Sequence, residues 1–253
     1  MIHPSAAQGF ARAPAVYERG RPDYPADAVA HLVQALRIGP DARVLDLAAG
    51  TGKLTRRLAA AGAEVVAVEP VAEMRATLEE TVPQAKALAG TAEAIPLSDS
   101  SVDAVAVGQG FHWFDGEAAL GEIHRVLRPH GRLGLIWNGR DGNDPFMRAF
   151  SEIMKPYRGD APSYHSERWR TAFERTRLFT PLDKQTFSFG HELDPEGVVA
   201  RVLSVSFIAA LPVERRADVV GRVRALLASS DATRGCDRVV LPYVTDVYSC
   251  ERI

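Results

Sequence analysis

The sequence has little cysteine and no long hydrophobic run. Only Cys236 and Cys250 occur among the 253 residues, and no CxxC spacing is present. Neither a disulfide framework nor a cysteine zinc site is therefore expected, and we predict a protein without a metal. No apolar segment approaches the roughly 18 residues that a transmembrane helix needs, so no membrane association is expected.

The sequence also lacks an excess of positive or negative charge. The chain carries 30 Lys and Arg against 32 Asp and Glu, which gives a formal net charge of −2. This balance argues against a broadly basic nucleic-acid-binding surface. The first nine residues have neither the basic start nor the apolar centre of a secretory signal peptide. We therefore expect a cytoplasmic protein that binds no nucleic acid.

Strand and helix signals alternate in the first half of the chain. Short apolar runs predict strands at 43–47, 64–69, 86–89, 102–107 and 132–137. The segments between most of them show helical spacing of apolar residues, as Val29, Leu32, Val33 and Leu36 do. Alternating strands and helices predict βαβ units and a mostly parallel sheet.

The second half is less regular. Its patterns predict helices at 145–156, 166–178, 195–210 and 213–229, and strands at 184–189 and 238–248. Pro242 lies inside the last of these strands, which predicts a bulge or an edge position. No linker is obvious enough to divide the chain into independent domains.

A loop of small residues follows the first predicted strand. Residues 44–53 read VLDLAAGTGK, and a helix is predicted directly after them. Such a loop lets backbone N–H groups approach an anionic group of a ligand. Glu69 ends the next strand, where an acid can accept hydrogen bonds from both ribose hydroxyls. The two features predict a nucleoside-type ligand across the carboxyl ends of these strands.

Three ligands compete for this loop. A phosphate-binding P-loop requires GxxxxGK[ST], but Leu47 stands in place of the first glycine and Leu54 follows Lys53. A dinucleotide site requires GxGxxG, and Thr55 replaces the third glycine, which weakens that interpretation but leaves it open. The third ligand, S-adenosylmethionine, carries a carboxylate and no phosphate. A site for this ligand needs small residues in the loop and an acidic residue just before them, as Asp46 is here.

Further segments fall in a recognisable order. They are 46–52 (DLAAGTG, with Ala48 in place of a glycine), 68–70 (VEP) with Met74, 90–97 (GTAEAIPL), 103–114, 125–132 (RVLRPHGR), and Tyr17 with 21–25 (RPDYP). Together they resemble class I S-adenosylmethionine-dependent methyltransferases. The similarity is strongest to the small-molecule branch with the quinone-biosynthesis and trans-aconitate methyltransferases.

The resemblance implies a fold. It is a Rossmann-like, doubly wound α/β fold with a seven-stranded, mostly parallel sheet whose last strand is antiparallel, plus a helical substrate cover. We expect one methyltransferase domain over 1–253. Within it, 1–138 would form the cofactor-binding core, and 139–253 the substrate cover and the final strands.

The resemblance also implies a site and a reaction, namely methyl transfer from S-adenosyl-L-methionine to a small-molecule acceptor, directed at oxygen. The candidate cofactor-binding residues are Arg21, Asp46, Ala48, Gly50, Thr51, Gly52, Glu69, Pro70, Met74, Thr91, Ala92, Glu93 and Gln109. Thr91 stands where the family usually has Asp, which removes an acceptor for the adenine amino group. His112 is the candidate catalytic base, and a role as a pocket-wall residue that positions substrate stays open beside it.

Two alternatives remain at this point. One is a cofactor-binding protein of the same fold that does not transfer methyl groups. The other is a nicotinamide-dependent oxidoreductase that uses the same loop and Glu69. A Tyr-x-x-x-Lys arrangement would favour the oxidoreductase, and the sequence contains none.

Overall fold

The computed structural model describes residues 20–253, so the expectations for the first nine residues and for Tyr17 lie outside the described residues. The first half of the chain alternates strands and helices as predicted. Its strands are β1 (Arg43–Leu47), β2 (Glu64–Val68), β3 (Lys86–Leu88), β4 (Val102–Gly108) and β5 (Leu127–Arg140). Its helices are α1 (Ala26–Ala35), α2 (Lys53–Ala60), α3 (Ala72–Thr81) and α4 (Gly116–Val126).

The second half adds helices and two long strands. The helices are α5 (Pro145–Met154), α6 (Arg170–Arg175), α7 (Pro195–Leu203), α8 (Ser206–Ala209) and α9 (Val213–Ser229), and the strands are β6 (Asp183–Leu193) and β7 (Val239–Glu251). Short 3₁₀ turns lie at Phe111–Trp113, Lys155–Tyr157 and Tyr164–Ser166. No described helix is both long enough and apolar enough to cross a membrane.

The seven strands form one sheet in the order β3-β2-β1-β4-β5-β7-β6. β1 pairs in parallel with both β2 and β4, and the outer pairs β2–β3 and β4–β5 are parallel as well. The chain therefore winds outward in one direction from β1 and in the other from β4. In such sheets ligands bind at the carboxyl ends of the strands, at the point where the order reverses.

The last strand, β7, runs antiparallel to β5. The backbone N–H of Arg252, directly after β7, donates to the carbonyl of Gly131 near the start of β5 (2.9 Å). The hydroxyl of Thr245, early in β7, donates to the side-chain oxygen of Asn138 late in β5 (2.7 Å). The predicted fold, with its antiparallel last strand, is confirmed. The expectation of an edge position for Pro242 is wrong, because β7 lies between β5 and β6.

Both faces of the parallel strands are covered, which explains their continuous apolar sequences. Val105 and Val107 of β4 belong to the buried cluster that contains Leu120 of α4. Ala104 and Ala106, which alternate with them, belong to the cluster that contains Leu32 of α1. Period-2 alternation thus sends successive side chains of one strand into two different cores.

The described residues divide into two compact units. The larger unit comprises Tyr24–Asn138, Pro162–Phe187 and Thr245–Ile253. The smaller unit comprises the described residues up to Asp23 with Gly139–Ala161 and Ser188–Val244. Its core is built from apolar residues of α5, α7 and α9, among them Phe150, Val202 and Val223.

Two predicted helices differ from the structure. The helix predicted over 166–178 is shorter and forms only as α6. The helix predicted over 195–210 is interrupted at Ser204 and forms as α7 and α8. The Ser204 hydroxyl donates to the carbonyl of Arg201 (2.7 Å). Serine side chains compete in this way with the helical backbone hydrogen bonds, and here the interruption falls at that residue.

Candidate cofactor and active site

The loop after β1 is built from left-handed backbone. Ala48, Gly50 and Gly52 have φ angles of 59°, 59° and 87°. Glycine adopts this conformation without strain, whereas Ala48 carries a side chain there. The Ala49 N–H donates to the carbonyl of Val68 at the end of β2 (3.1 Å), which fixes the loop against the next strand. A side chain at Gly50 would meet only the Met74 sulfur at 3.9 Å, so space remains open beside that residue.

Glu69 follows β2 and holds this loop. One carboxylate oxygen accepts from the backbone N–H of Gly50 and the other from that of Val71, both at 2.9 Å. The residue is only 5% exposed. Desolvation raises the pKa of Glu69, and the two backbone hydrogen bonds oppose that rise. A carboxylate has about four lone-pair positions, so about two remain for a ligand.

Asp46 lies under the loop and is fully buried. One carboxylate oxygen accepts from the Thr55 hydroxyl (2.6 Å), and the other is buried without a hydrogen-bond partner among the described residues. Burial raises the pKa of Asp46 to about 7; the Thr55 hydroxyl opposes the shift and the charge of Glu69 adds to it. Two acidic groups with spare acceptor capacity suit a ligand that brings hydroxyl donors and a positive charge.

The other loop candidates shape the site by packing. Thr51 is buried, and its carbonyl accepts from the Thr81 hydroxyl of α3 (3.2 Å). Gly52 precedes α2, and a side chain there would meet Val82 at 3.0 Å. Met74 is buried beside Gly50, and the half-buried Pro70 follows Glu69 directly.

Three further candidates follow β3. The Glu69 N–H donates to the carbonyl of Leu88 (3.1 Å), so the segment after β3 begins beside Glu69. Thr91 is half-buried and forms an isolated bridge with Ala94, while Ala92 is buried in the core. The Glu93 carboxylate accepts from the backbone N–H of Asp115, the residue that caps α4 (3.1 Å). This bond ties Glu93 to the start of a helix.

The end of β4 brings Gln109 and His112 toward the same region. A side chain at Gly110 would meet Ala48 of the loop at 3.3 Å, so the two segments are in close approach. Gln109 has a left-handed φ of 59°, and its N–H donates to the carbonyl of Ile136 in β5 (2.9 Å). The structure therefore brings the loop, Glu69 and the β4 exit together within the larger unit.

His112 is held by a tryptophan that the sequence patterns did not single out. The indole Nε1–H of Trp137 donates to His112 Nδ1 (3.2 Å). In a neutral imidazole whose Nδ1 accepts a hydrogen bond, the hydrogen is on Nε2. The geometry therefore makes His112 a donor at Nε2. A base at Nε2 would need the opposite tautomer, which cannot accept from Trp137.

Trp137 is also the centre of an aromatic and polar cluster missing from the sequence predictions. Its ring stacks on Tyr164 with centroids 4.7 Å apart. The Tyr164 hydroxyl donates to Asp246 of β7 and lies 3.0 Å from the hydroxyl of Tyr248. Asp246 and Tyr248 are two residues apart in a strand and therefore share a face. The spacing of Asp246 and Tyr248 was the one feature of the sequence that could have indicated this cluster.

Arg21 is the remaining cofactor-binding candidate. It belongs to the smaller unit, where its guanidinium donates to the carbonyl of Ser204 (3.2 Å). Its role toward the cofactor stays a prediction. Phe111, at the β4 exit, is buried in the core against Phe173, with ring centroids 5.0 Å apart.

Comparisons with known proteins agree with this arrangement. Residues 45–135 match the family described as methyltransferase domain. A protein of Mycobacterium tuberculosis H37Rv, described as an uncharacterized methyltransferase, is 42% identical over 236 residues, which cover 93% of this chain and 92% of the relative. A demethylmenaquinone methyltransferase of Mycobacterium sp. KMS is 42% identical over 125 residues, covering 49% of this chain and 51% of that protein.

The fold has counterparts among solved structures. One from Anabaena variabilis superimposes with a TM-score of 0.67 at 21% identity, covering 90% of this chain and 98% of that one. The chain belongs to the class I S-adenosylmethionine-dependent methyltransferases.

Proposed function

We propose that this methyltransferase binds S-adenosyl-L-methionine beside the loop of residues 46–52 and methylates an oxygen of a small-molecule acceptor. The observation that carries the proposal is the Glu69 carboxylate. It is almost fully buried at the end of β2 and hydrogen-bonded to the loop through Gly50. Its remaining lone pairs can accept both hydroxyls of a ribose.

The acidic pair distinguishes this cofactor from a dinucleotide. The Gly50 N–H, which would donate to a pyrophosphate, already donates to Glu69. A pyrophosphate would also meet the carboxylate of Glu69, and like charges at short range in a buried site repel strongly. A ligand with an ammonium group, by contrast, offers a donor to the unpartnered oxygen of Asp46. The acceptor groups of the site therefore favour S-adenosylmethionine over NAD.

When bound, S-adenosylmethionine supplies an electrophilic methyl group for an in-line displacement. The chain's own residues have to hold the reactants in line and exclude water. Glu69 and the loop would bind the nucleoside, with Met74, Thr91 and Ala92 beside it. Gln109 and His112 would lie at the acceptor side.

His112 would orient the acceptor by donating a hydrogen bond from Nε2. The Trp137 indole fixes this tautomer, so proton removal by His112 would cost the indole hydrogen bond. If no base removes its proton, an oxygen acceptor has to be ionised before it attacks the methyl group. We therefore propose a carboxylate or an easily ionised phenol as the acceptor.

The remaining expectations belong to the same proposal. They are a single domain with its cofactor core in 1–138 and its substrate cover in 139–253, a contribution of Arg21 to cofactor binding, a cytoplasmic location and a small molecule as the partner. The resemblance to the small-molecule branch supports them.

The experiment is a transfer assay with methyl-labelled cofactor and a panel of small carboxylic acids, phenols and amines. We expect label in methyl esters or aryl ethers, analysed by mass spectrometry, and none in the amines. Glu69→Gln, which loses the charge, should lower the yield at limiting cofactor; Glu73→Gln, an exposed acid of α3, is the control. Binding of the demethylated cofactor without transfer to any acceptor would favour the non-methylating alternative. Label confined to amines would contradict oxygen specificity.

A further inference from the structure

The smaller unit contains two arginines, Arg140 and Arg201, for which the described residues provide no acidic partner. Arg140, the last residue of β5, is half-buried in this unit, and its guanidinium Nε is buried without a hydrogen-bond partner among the described residues. Its other contacts are weak, since one Nη lies 3.4 Å from the Ser151 hydroxyl and the other 3.7 Å from the Met154 sulfur. The ring of Phe150 lies 5.7 Å from the guanidinium carbon.

A second arginine of the group, Arg201 of α7, is only 4% exposed. Its Nε donates to the Tyr243 hydroxyl (2.8 Å) and one Nη donates to the Ser204 hydroxyl (3.3 Å). The Tyr243 oxygen accepts this bond, so its own hydrogen is available to a further acceptor. Arg201 and Tyr243 thus present donors from two different elements.

The charge of Arg201 acts on Arg140 and on Tyr243. Burial lowers the pKa of Arg140 to about 10, and the positive charge of Arg201 contributes next. Burial raises the pKa of Tyr243, but the charges of Arg201, Arg140 and Arg21 outweigh it and the net shift is downward. Arg140 and Tyr243 are therefore both surrounded by positive charge.

No carboxylate of residues 20–253 forms an ion pair with Arg140 or Arg201. Their partners are the neutral groups of Ser151, Met154, Ser204 and Tyr243. Burying a charge without a counter-ion is costly, and apolar residues of similar volume would pack such a core at less cost. A structural role alone does not explain two such charges, whereas a bound anion does.

We propose that Arg140, Arg201 and Tyr243 form a binding site for the oxyanion of a small molecule, a carboxylate or a phosphate. The planar guanidinium fork matches both groups through paired N–H donors. The phenol would add a third hydrogen bond. This site is a property of the smaller unit by itself, and its occupation does not depend on methyl transfer.

Calorimetric titration of the full chain tests the site without cofactor. The probes are succinate and inorganic phosphate, with chloride at equal ionic strength as the reference. We expect saturable binding of at least one probe. Arg140→Met should weaken it at least tenfold, while Arg238→Met, at an exposed arginine of the same unit, should leave it unchanged. Binding of succinate alone identifies a carboxylate site and binding of phosphate alone a phosphate site.

Thermal unfolding separates ligand binding from a structural role. If Arg140 is an uncompensated charge, Arg140→Met should melt at the same temperature as the wild type or higher in chloride, and should lose the rise in melting temperature that the anion gives the wild type. Failure of both anions to bind the wild-type protein would overturn the proposal. Equal binding to Arg140→Met would overturn it as well, and so would a strongly lowered melting temperature of that variant in chloride.

Discussion

At the scale of single residues, Asp46 predicts a pH dependence of stability. Its pKa is about 7 in the folded protein against 3.8 for an unperturbed aspartate. Between these values the folded state binds more protons than the unfolded state, so the free energy of unfolding falls as the pH rises. At 1.36 kcal/mol per pKa unit, the loss from about pH 4 to pH 7 reaches about 4 kcal/mol.

Asp46→Asn should remove this loss, because an amide stays neutral and still accepts from the Thr55 hydroxyl. Urea unfolding at a series of pH values measures the effect, with the exposed Asp41→Asn as the control. An equally steep decline in Asp46→Asn would assign the pH dependence to other groups.

His112 provides a second test at this scale. Glutamine can accept from the Trp137 indole through its oxygen and donate through its nitrogen, as the described tautomer of His112 does. Once an acceptor is known, His112→Gln should therefore lose about tenfold or less in turnover and keep its affinity for the cofactor. A fall of 10²–10⁴-fold, with loss of a pH-dependent step in the rate, would instead show that His112 is a general base.

At the scale of elements, the β1–α2 loop is strained at one position. Ala48 has a φ of 59°, a conformation that costs an L-residue about 1 kcal/mol. Ala48→Gly should raise the free energy of unfolding by up to about 1 kcal/mol, despite the greater freedom of glycine in the unfolded chain. Ala76→Gly, at an exposed position within α3, should lower it by a similar amount. Chemical denaturation compares the pair, and a destabilised Ala48→Gly would contradict the strain.

The elements also differ in how well the sequence predicts them. β1 and α9 form at the predicted residues because their apolar spacing decides both burial and conformation. Glu69 was predictable in the same way, since a strand end and a loop fixed its place. The bond between Trp137 and His112 was not, because it joins different elements through packing. The anion-site residues likewise come from separate elements, namely Arg140, Arg201 and Tyr243. No local sequence pattern indicates that an arginine will lack a counter-ion in the fold.

At the scale of the whole molecule, the central claim is that the loop and Glu69 bind S-adenosylmethionine. A ligand that binds only the folded state stabilises it by about 2.7 kcal/mol at 100 times its dissociation constant. The demethylated cofactor, S-adenosylhomocysteine, should therefore raise the melting temperature of the full chain, and NAD should not.

Calorimetric titration with S-adenosylhomocysteine and with NAD tests this claim most directly. We predict one-site binding of S-adenosylhomocysteine, no binding of NAD, and at least tenfold weaker binding to Glu69→Gln, since hydrogen bonds to a charged group are worth about 1.5–3 kcal/mol each. Melting curves of Glu69→Gln are needed beside it, because the carboxylate also holds Gly50. Tight binding of NAD without S-adenosylhomocysteine, or an unchanged dissociation constant in a folded Glu69→Gln, would contradict the account.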